Sequence, residues 1–213
     1  MPTDPPSSPQ RPAPIGCLVL AAGGSRRLGQ AKQLVTFENQ TLLERTVEAA
    51  LAVPALWPVI VVIGAEASRI RPALTRHPVL IAENSAWTEG IASSLRCGLD
   101  MLEQFNPAIS ATLVTLCDQP HISPQVFQKL VATHEQTGAT LVAARYDHHP
   151  GAPALFGRSH FKALAGLTGD EGARILFKSL PAEAITTVDL PELSLDIDTP
   201  EDLAKLNPLQ RSP

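Results

Sequence analysis

Residues 15–32 read IGCLVLAAGGSRRLGQAK, an apolar run that leads directly into a glycine-rich, basic turn. The run Ile15–Leu20 is short and apolar, which is typical of a central strand buried on both faces of a parallel sheet. The turn therefore lies at the carboxyl end of a strand, where ligands bind in open α/β sheets. This stretch predicts an α/β fold and places a candidate ligand site at residues 20–32.

Apolar runs and amphipathic segments alternate along the rest of the chain. The further strands that we predict are Pro58–Ile63, Val79–Ala82, Ala111–Leu116, Thr140–Ala144, Ala152–Phe156 and Ala184–Val188. The predicted helices are Thr41–Ala52, Glu66–Leu74, Gly90–Glu103, Ser123–Gln136, Ser159–Ala165, Glu171–Ser179 and a last helix from Pro200. Such alternation favours a three-layer, Rossmann-like α/β fold with a mostly parallel central sheet and helices on both faces.

The length and composition indicate one folded domain. The chain has 213 residues, of which 44% are hydrophobic and 18% are charged, so a sizeable core can form. Six of the 20 prolines fall in residues 1–14, together with Ser7 and Ser8. We expect residues 1–14 to be a disordered tail and residues 15–213 to be a single domain.

Charge and cysteine content exclude several classes of function. The formal net charge of −4 argues against a nucleic-acid partner, and the apolar runs are too short to span a membrane. The three cysteines, Cys17, Cys97 and Cys117, form no CxxC motif or Cys/His cluster, which argues against zinc and a disulfide framework. Because the start of the sequence also has no secretory signal pattern, we expect a cytoplasmic protein.

The glycine-rich turn has the chemistry of a phosphate site. Its relevant residues are Gly23, Gly24, Ser25, Arg26, Arg27, Gly29 and Lys32. Glycines let backbone N–H groups approach an anion, and three cations offset much of the charge of a triphosphate. The alternative is an ordinary turn with solvated basic residues. Gln30-Ala31 stand where a P-loop requires Lys-Ser/Thr, and the G-x-G-x-x-G fingerprint of dinucleotide-binding folds is absent from the turn.

Two acidic positions, far apart in the sequence, are candidate metal ligands. Asp118 follows the predicted strand that ends at Leu116, and a carboxylate beside a phosphate loop suits a cation that bridges phosphate oxygens. The second acidic candidate lies in the segment LDIDTPEDL, residues 195–203. For Asp118 the alternative is a turn before Pro120, and for the later segment it is a plain helix start.

The turn also resembles a family signature. Residues 20–32 match the L-A-A-G-x-S-x-R-M-G-x-x-K motif of the MobA-like nucleotidyltransferases, with Leu28 in place of Met. Within that superfamily the chain is most similar to the molybdenum cofactor cytidylyltransferases, over about residues 15–206. Four further motifs follow in the family's order: the D-Q-P turn at Asp118, a G-x-P segment at Gly151, a G-D-x-G-A-R motif at Gly169 and the D-I-D-T-P-E-D-L segment.

The resemblance implies roles for individual residues. The nucleotide-binding residues would be Ala21, Ala22, Gly23, Gly24, Ser25, Arg26, Arg27, Lys32, Asn84, Gly90 and Ser94. Arg27, Lys32 and Asp118 would be catalytic, Asp118 and Asp198 would hold Mg²⁺ with Asp196 behind them, and Gly151, Pro153 and Asp170 would face the acceptor. For Gly90 and Ser94 a plain helix start is the alternative, and Trp87 belongs either beside the nucleotide or to the core.

The resemblance implies transfer of CMP from CTP to a molybdopterin-type molybdenum cofactor, with release of pyrophosphate. Ala22 stands where guanylyl-transferring relatives usually have Gly, which favours cytidine. A molybdenum hydroxylase is the expected recipient of the product. Two alternatives stay open: nucleotidyl transfer to a sugar or polyol phosphate such as methylerythritol phosphate, and a non-catalytic, nucleotide-binding maturation factor for a molybdenum hydroxylase.

Overall fold

A computed structural model describes residues 14–170 and 172–206 of the chain. The predicted tail therefore lies outside the described residues, except for Pro14. The same is true of Glu171, with which one predicted helix begins, and of the last seven residues of the predicted domain.

The centre of the fold is a seven-stranded sheet, and a separate two-stranded hairpin lies beside it. In chain order the strands are β1 (Ile15–Ala21), β2 (Thr36–Phe37), β3 (Gln40–Thr41), β4 (Leu56–Ile63), β5 (Leu80–Glu83), β6 (Ala111–Leu116), β7 (Leu141–Tyr146), β8 (His149–Gly157) and β9 (Thr186–Asp189). The order in the sheet is β5-β4-β1-β6-β8-β7-β9. All of its pairs are parallel except those that β8 makes with β6 and β7. The predicted mostly parallel α/β sheet is confirmed.

Helices cover both faces of this sheet. They are α1 (Leu42–Leu51), α2 (Ala67–Leu74), α3 (Ile91–Phe105), α4 (Pro124–Thr137), α5 (Phe161–Ala165), α6 (Arg174–Ser179) and α7 (Pro200–Leu206). Buried side chains of α1, α2 and α4 form one hydrophobic core against the sheet, and those of α3, α5 and α6 form a second core on the other face. Across residues 14–170 and 172–206, every helix is too short or too polar to cross a membrane.

Strand β1 shows how the sequence produces these layers. Its seven residues are all buried, and Cys17 and Val19 contribute to one core while Leu18 and Leu20 contribute to the other. Successive side chains of a strand point to opposite faces, so a continuous apolar run suits a strand between two helical layers. Its carboxyl end at Ala21 therefore delivers the glycine-rich turn to the edge of a rigid sheet.

The antiparallel strand β8 has a local cause. Only Asp147 and His148 separate it from β7, and both have positive φ angles, 49° and 65°. A two-residue turn with positive φ at both positions joins antiparallel strands, whereas a parallel connection needs a long crossover. The adjacent residues His148 and His149 thus belong to the hairpin of β7 and β8.

Candidate active site

The two acidic segments meet at the carboxyl end of the sheet. Asp118 follows β6, and its backbone carbonyl accepts a hydrogen bond of 2.9 Å from the N–H of Ile197. This bond places Asp198, the next residue, beside the Asp118 side chain. Ile197 is fully buried in a small apolar cluster with Leu28 of the glycine-rich turn. The turn and the second acidic segment are therefore packed against each other.

Lys32 connects the two carboxylates. Its Nζ donates to Asp118 Oδ2 at 2.6 Å and to Asp198 Oδ1 at 3.1 Å. Arg27 Nη2 donates to the other Asp198 oxygen, Oδ2, at 2.7 Å. The inner pair is well buried, with side-chain exposures of 19% for Lys32 and 9% for Asp118, whereas Arg27 is 72% exposed. Lys32, which was predicted to converge with Asp118 and Asp198 on one magnesium-bound triphosphate, thus lies within hydrogen-bond distance of both acids.

Electrostatics distinguish the members of this cluster. Burial by itself lowers the pKa of Lys32, but the charges of Asp118 and Asp198 and the hydrogen bond to Asp118 contribute to a net rise in this pKa, so the amine stays protonated. Asp196 lines the larger cavity together with Asp118 and Asp198. Its burial and the charges of Asp118 and Asp198 raise the pKa of its carboxyl group to about 7. The cluster therefore concentrates negative charge that a cation would relieve.

Ser25 closes the glycine-rich turn on itself. Its hydroxyl oxygen accepts a hydrogen bond of 3.1 Å from the backbone N–H of Lys32, and its carbonyl accepts from the N–H groups of Leu28 and Gly29, both at 3.1 Å. These bonds fix the turn in the shape that carries Lys32 back to Asp118. Ser25 therefore acts within the turn itself, in addition to its predicted contact with phosphate.

Gln33 is a structural element of the site that our sequence analysis missed. Its side chain is completely buried, and Nε2 donates at 2.8 Å to the carbonyl oxygens of both Ala21 and Gly23. The amide thereby holds the two ends of the strand-to-turn transition. The available sequence signal was its place directly after Lys32, at the end of the signature.

Replacement of Gln33 by Leu is expected to destabilise the fold by about 2–3 kcal/mol, because it removes the donor for two carbonyls. Urea unfolding followed by circular dichroism measures this difference. The matched control is Gln30→Leu at an exposed position of the same turn, which we expect to change stability by less than about 0.5 kcal/mol. Equal effects of the two substitutions would contradict the role of Gln33.

Two adjoining cavities, of about 330 and 510 Å³, open along this edge of the sheet. The walls of both include Gly23, Arg26, Lys32, Asp118 and Asp170, so together they form one cleft with a charged centre. Ala22, Gly24, Gly90 and Ser94 line only the smaller cavity, and Ser25, Arg27 and Asp198 line only the larger one. The structure thus brings most of the predicted nucleotide residues to the smaller cavity and its border.

Asn84 and Ala21, which we predicted to bind nucleotide, line neither cavity. Asn84 is buried, and its Nδ2 donates to Ser93 Oγ at 2.8 Å and to Ser94 Oγ at 3.0 Å, while its Oδ1 accepts from the N–H of Ala86 at 2.9 Å. Ala21 is the buried last residue of β1. Neither side chain reaches the surface of a cavity, so both residues support the cavity wall from within the protein.

The predicted acceptor residues occupy different environments. Asp170 lines both cavities, and the preceding Gly169 carbonyl accepts from the N–H of Ala92 in α3 at 3.1 Å. A Cβ on Gly90 would lie 2.4 Å from that same carbonyl oxygen, so only glycine allows the two segments to approach. The G-D-x-G-A-R loop is in this way fixed over the start of α3.

Gly151 and Pro153 line neither cavity, because strand residues alternate between faces. Their neighbours Ala152 and Ala154 face the larger cavity instead. Gly151 packs against the ring of Tyr146, whose hydroxyl donates to the Ala152 carbonyl at 3.0 Å. The structure therefore assigns the predicted G-x-P segment a supporting position, with the cavity surface formed by the alternate residues of β8.

Gln119 is a second buried amide that our sequence analysis had not assigned. Its Nε2 lies 3.2 Å from each of three acceptors: the Tyr146 hydroxyl and the carbonyl oxygens of Ala152 and Leu193. These bonds join the end of β6 to β8 and to the segment that leads toward Asp198. Gln119 thus keeps the Asp118 turn in register with the larger cavity.

The carboxylates fit a divalent cation that is shared with a bound phosphate. Asp118 Oδ1 is buried and has no hydrogen-bond partner among residues 14–170 and 172–206, as is also true of Asp196 Oδ1. In the same ranges no group of three or more His, Cys, Asp or Glu side chains is arranged to hold a metal. Mg²⁺ binds through one or two carboxylates together with substrate phosphates, so Asp118 and Asp198 suffice as its protein ligands.

The chain is similar in sequence to known proteins. A family model described as the MobA-like NTP transferase domain matches residues 17–185. The nicotine blue oxidoreductase of Paenarthrobacter nicotinovorans is 29% identical over 89% of this chain and 94% of its own. The molybdenum cofactor cytidylyltransferase of Escherichia coli K12 is 24% identical over 88% of this chain and 93% of its own.

Solved structures of related sequence have the same fold. The crystal structure of Rv0371c from Mycobacterium tuberculosis H37Rv superposes with a TM-score of 0.74 at 30% identity, and covers 91% of this chain and 97% of that chain. A second structure of Rv0371c, in complex with manganese, gives a TM-score of 0.70 at 27% identity, with 91% and 97% covered. The relatives carry the names of different activities, an oxidoreductase and a cytidylyltransferase, so the comparisons do not identify the substrate. The substrate has to be argued from the chemistry of the site.

Proposed function

Because the chain belongs to the MobA-like NTP transferase family and is thus a nucleotidyltransferase, we propose that it transfers CMP from CTP to a molybdopterin-type molybdenum cofactor. The observation that carries this proposal is the contact of Lys32 with both Asp118 and Asp198 at the junction of two cavities. One cavity would hold the nucleoside and the other the acceptor, with the reacting phosphates between them.

The reaction depends on positioning of the two substrates and on compensation of the triphosphate charge, and it needs no covalent intermediate with the protein. A phosphate oxygen of the acceptor attacks the α-phosphorus in line; the new P–O bond forms as the bond to the β-phosphate breaks, and pyrophosphate leaves with the electron pair. The attacking phosphate is already anionic, so no general base has to take a proton. Arg26, Arg27 and Lys32 compensate the charge of the triphosphate, and the backbone N–H groups of the turn orient it.

The cofactor that we propose is Mg²⁺, held by Asp118 and Asp198 with Asp196 behind them. When bound, a divalent cation neutralises charge on the phosphate oxygens and on the leaving pyrophosphate. The buried, unpartnered Oδ1 of Asp118 supports this assignment, and so does the manganese complex of the related Rv0371c. Asp118 keeps one oxygen for the metal while Lys32 holds the other.

Several features favour CTP and the molybdenum cofactor over other substrates. Ala22 lines the smaller cavity, where its methyl group narrows the space beside the glycine turn. The relative from E. coli carries the name of a molybdenum cofactor cytidylyltransferase. The larger cavity has an apolar wall that includes Leu95, Val114 and Phe177, which suits a fused-ring acceptor. We propose a cytoplasmic role, with a molybdenum hydroxylase as the recipient of the product.

A pyrophosphate-release assay with the four nucleoside triphosphates, with and without molybdenum cofactor, tests this function. We expect turnover only with the cofactor, highest with CTP, and lost when EDTA removes the divalent metal. Turnover with methylerythritol phosphate in place of the cofactor would instead support a polyol phosphate acceptor. Tight CTP binding without any turnover would support a non-catalytic maturation factor.

A further inference from the structure

Trp87 forms one wall of the smaller cavity, beside the glycine-rich turn. It begins a short 3-10 turn, Trp87–Glu89, that lies between β5 and α3. Its side chain is half-buried and lines this cavity together with Ala22 and Gly24. Trp87 packs against the second core on one side and makes none of the charged contacts described above, so the part of the indole that faces the cavity has no role in the mechanism as described so far.

The contacts of the indole show how closely it is fitted to the turn. A Cβ on Gly24 would lie 3.2 Å from Trp87 Cζ3 and 3.4 Å from Cη2. A Cβ on Gly64 would lie 2.8 Å from Trp87 Cβ and also 2.8 Å from the Ala22 methyl carbon. The indole ring is therefore packed against Gly24 and the Trp87 Cβ against Gly64, so a larger residue at either glycine would displace the tryptophan.

The position of the ring limits the space for a base. The cavity measures about 330 Å³, which is at the lower end of the range for ligand sites. Its other walls come from the glycine-rich turn, the ends of β1 and β6, the first turn of α3 and Asp170, and the indole is the one aromatic side chain among the lining residues that the structure describes. An aromatic ring at this place also offers a stacking surface for a planar base.

We propose that Trp87 determines base specificity: its indole contacts the nucleobase and closes the cavity to a purine, so that only a pyrimidine fits. This inference rests on the proposed nucleotidyl transfer and adds to it the residue that selects the nucleotide. A purine has one ring more than a pyrimidine, so the two kinds of base differ in size. An apolar pocket discriminates between ligands of different size by about 10- to 200-fold.

The test uses the two tryptophans of the chain. Trp57 is 56% exposed at the start of β4, about 20 Å along that strand from its carboxyl end at Ile63. In a Trp57→Phe background, Trp87 is the only indole, and its emission reports on the cavity directly. We expect CTP and UTP to change this emission at concentrations where ATP and GTP do not.

Calorimetric titrations of the variants complete the test. We expect Trp87→Ala to reduce the preference for CTP over GTP by about tenfold or more, and Trp87→Phe to retain most of it. The Trp57→Phe protein, with its cavity unaltered, should keep the wild-type preference. These ratios of dissociation constants do not depend on turnover.

Four results would overturn the inference. CTP binding without a change in Trp87 emission, or an unchanged CTP-to-GTP ratio in Trp87→Ala, would remove the role of Trp87 and leave the transferase proposal intact. Equal affinity of the wild-type protein for CTP and GTP would show that the cavity does not select by size. An absence of binding for all four triphosphates would reject the proposed function together with the inference.

Discussion

Replacement of Asp118 by Asn is expected to lower kcat for nucleotidyl transfer by about 1,000-fold, while the affinity for CTP changes by less than about tenfold. The carboxamide has the shape of the carboxylate and still offers an oxygen to Lys32, so the turn should keep its geometry. It lacks the negative charge that holds a divalent cation against the phosphates, and charge stabilisation of that kind contributes several kcal/mol to the transition state.

Steady-state kinetics with CTP and molybdenum cofactor, together with calorimetric titration of CTP, separate the two effects. Asp100→Asn is the matched control, because Asp100 is exposed on α3 and lines neither cavity. It should retain full activity. Full activity in the Asp118 variant would show that the metal assignment is wrong, whereas a loss of CTP affinity with kcat unchanged would indicate a binding role only.

The sheet could be predicted from the sequence because its signal is local. Strands such as Ala111–Leu116 are mostly apolar and β-branched, and the observed β6 has the predicted bounds. The capping box that Thr41 and Glu44 form at the start of α1 is likewise a local signal, since it lies within four consecutive residues. The hairpin of β2 and β3 was missed because each strand has only two residues, too few to show an alternating pattern.

The candidate site could also be predicted only in part. The contact of Lys32 with Asp118 could be expected, since the turn and Asp118 follow parallel strands whose carboxyl ends share one edge, whereas Asp198 was expected there from the family resemblance. The roles of Gln33 and Asn84 could not, because a buried amide is defined by the carbonyls and hydroxyls around it, which come from other segments. Periodicity and spacing carry no information on such partners.

Replacement of Lys32 by Met is expected to reduce kcat/KM by about 100- to 1,000-fold and to destabilise the fold at the same time. The Lys32 amine compensates Asp118, whose side chain is only 9% exposed. Removal of one member of a buried ion pair leaves an unpaired charge and costs about 3–5 kcal/mol. Urea unfolding in EDTA measures this cost, and Lys129→Met, at an exposed position on α4, is the control that should change little.

Two further measurements separate the electrostatic role of Lys32 from simple packing. Millimolar Mg²⁺ should recover part of the lost stability of Lys32→Met, because a cation bound between the acids replaces the missing charge in the folded state alone. The double variant Lys32→Met/Asp118→Asn should be more stable than Lys32→Met, since both members of the pair are then neutral, yet it should remain inactive. If the double variant were instead less stable than either single one, the loss would come from packing, and Lys32 would not be the counter-charge of the acids.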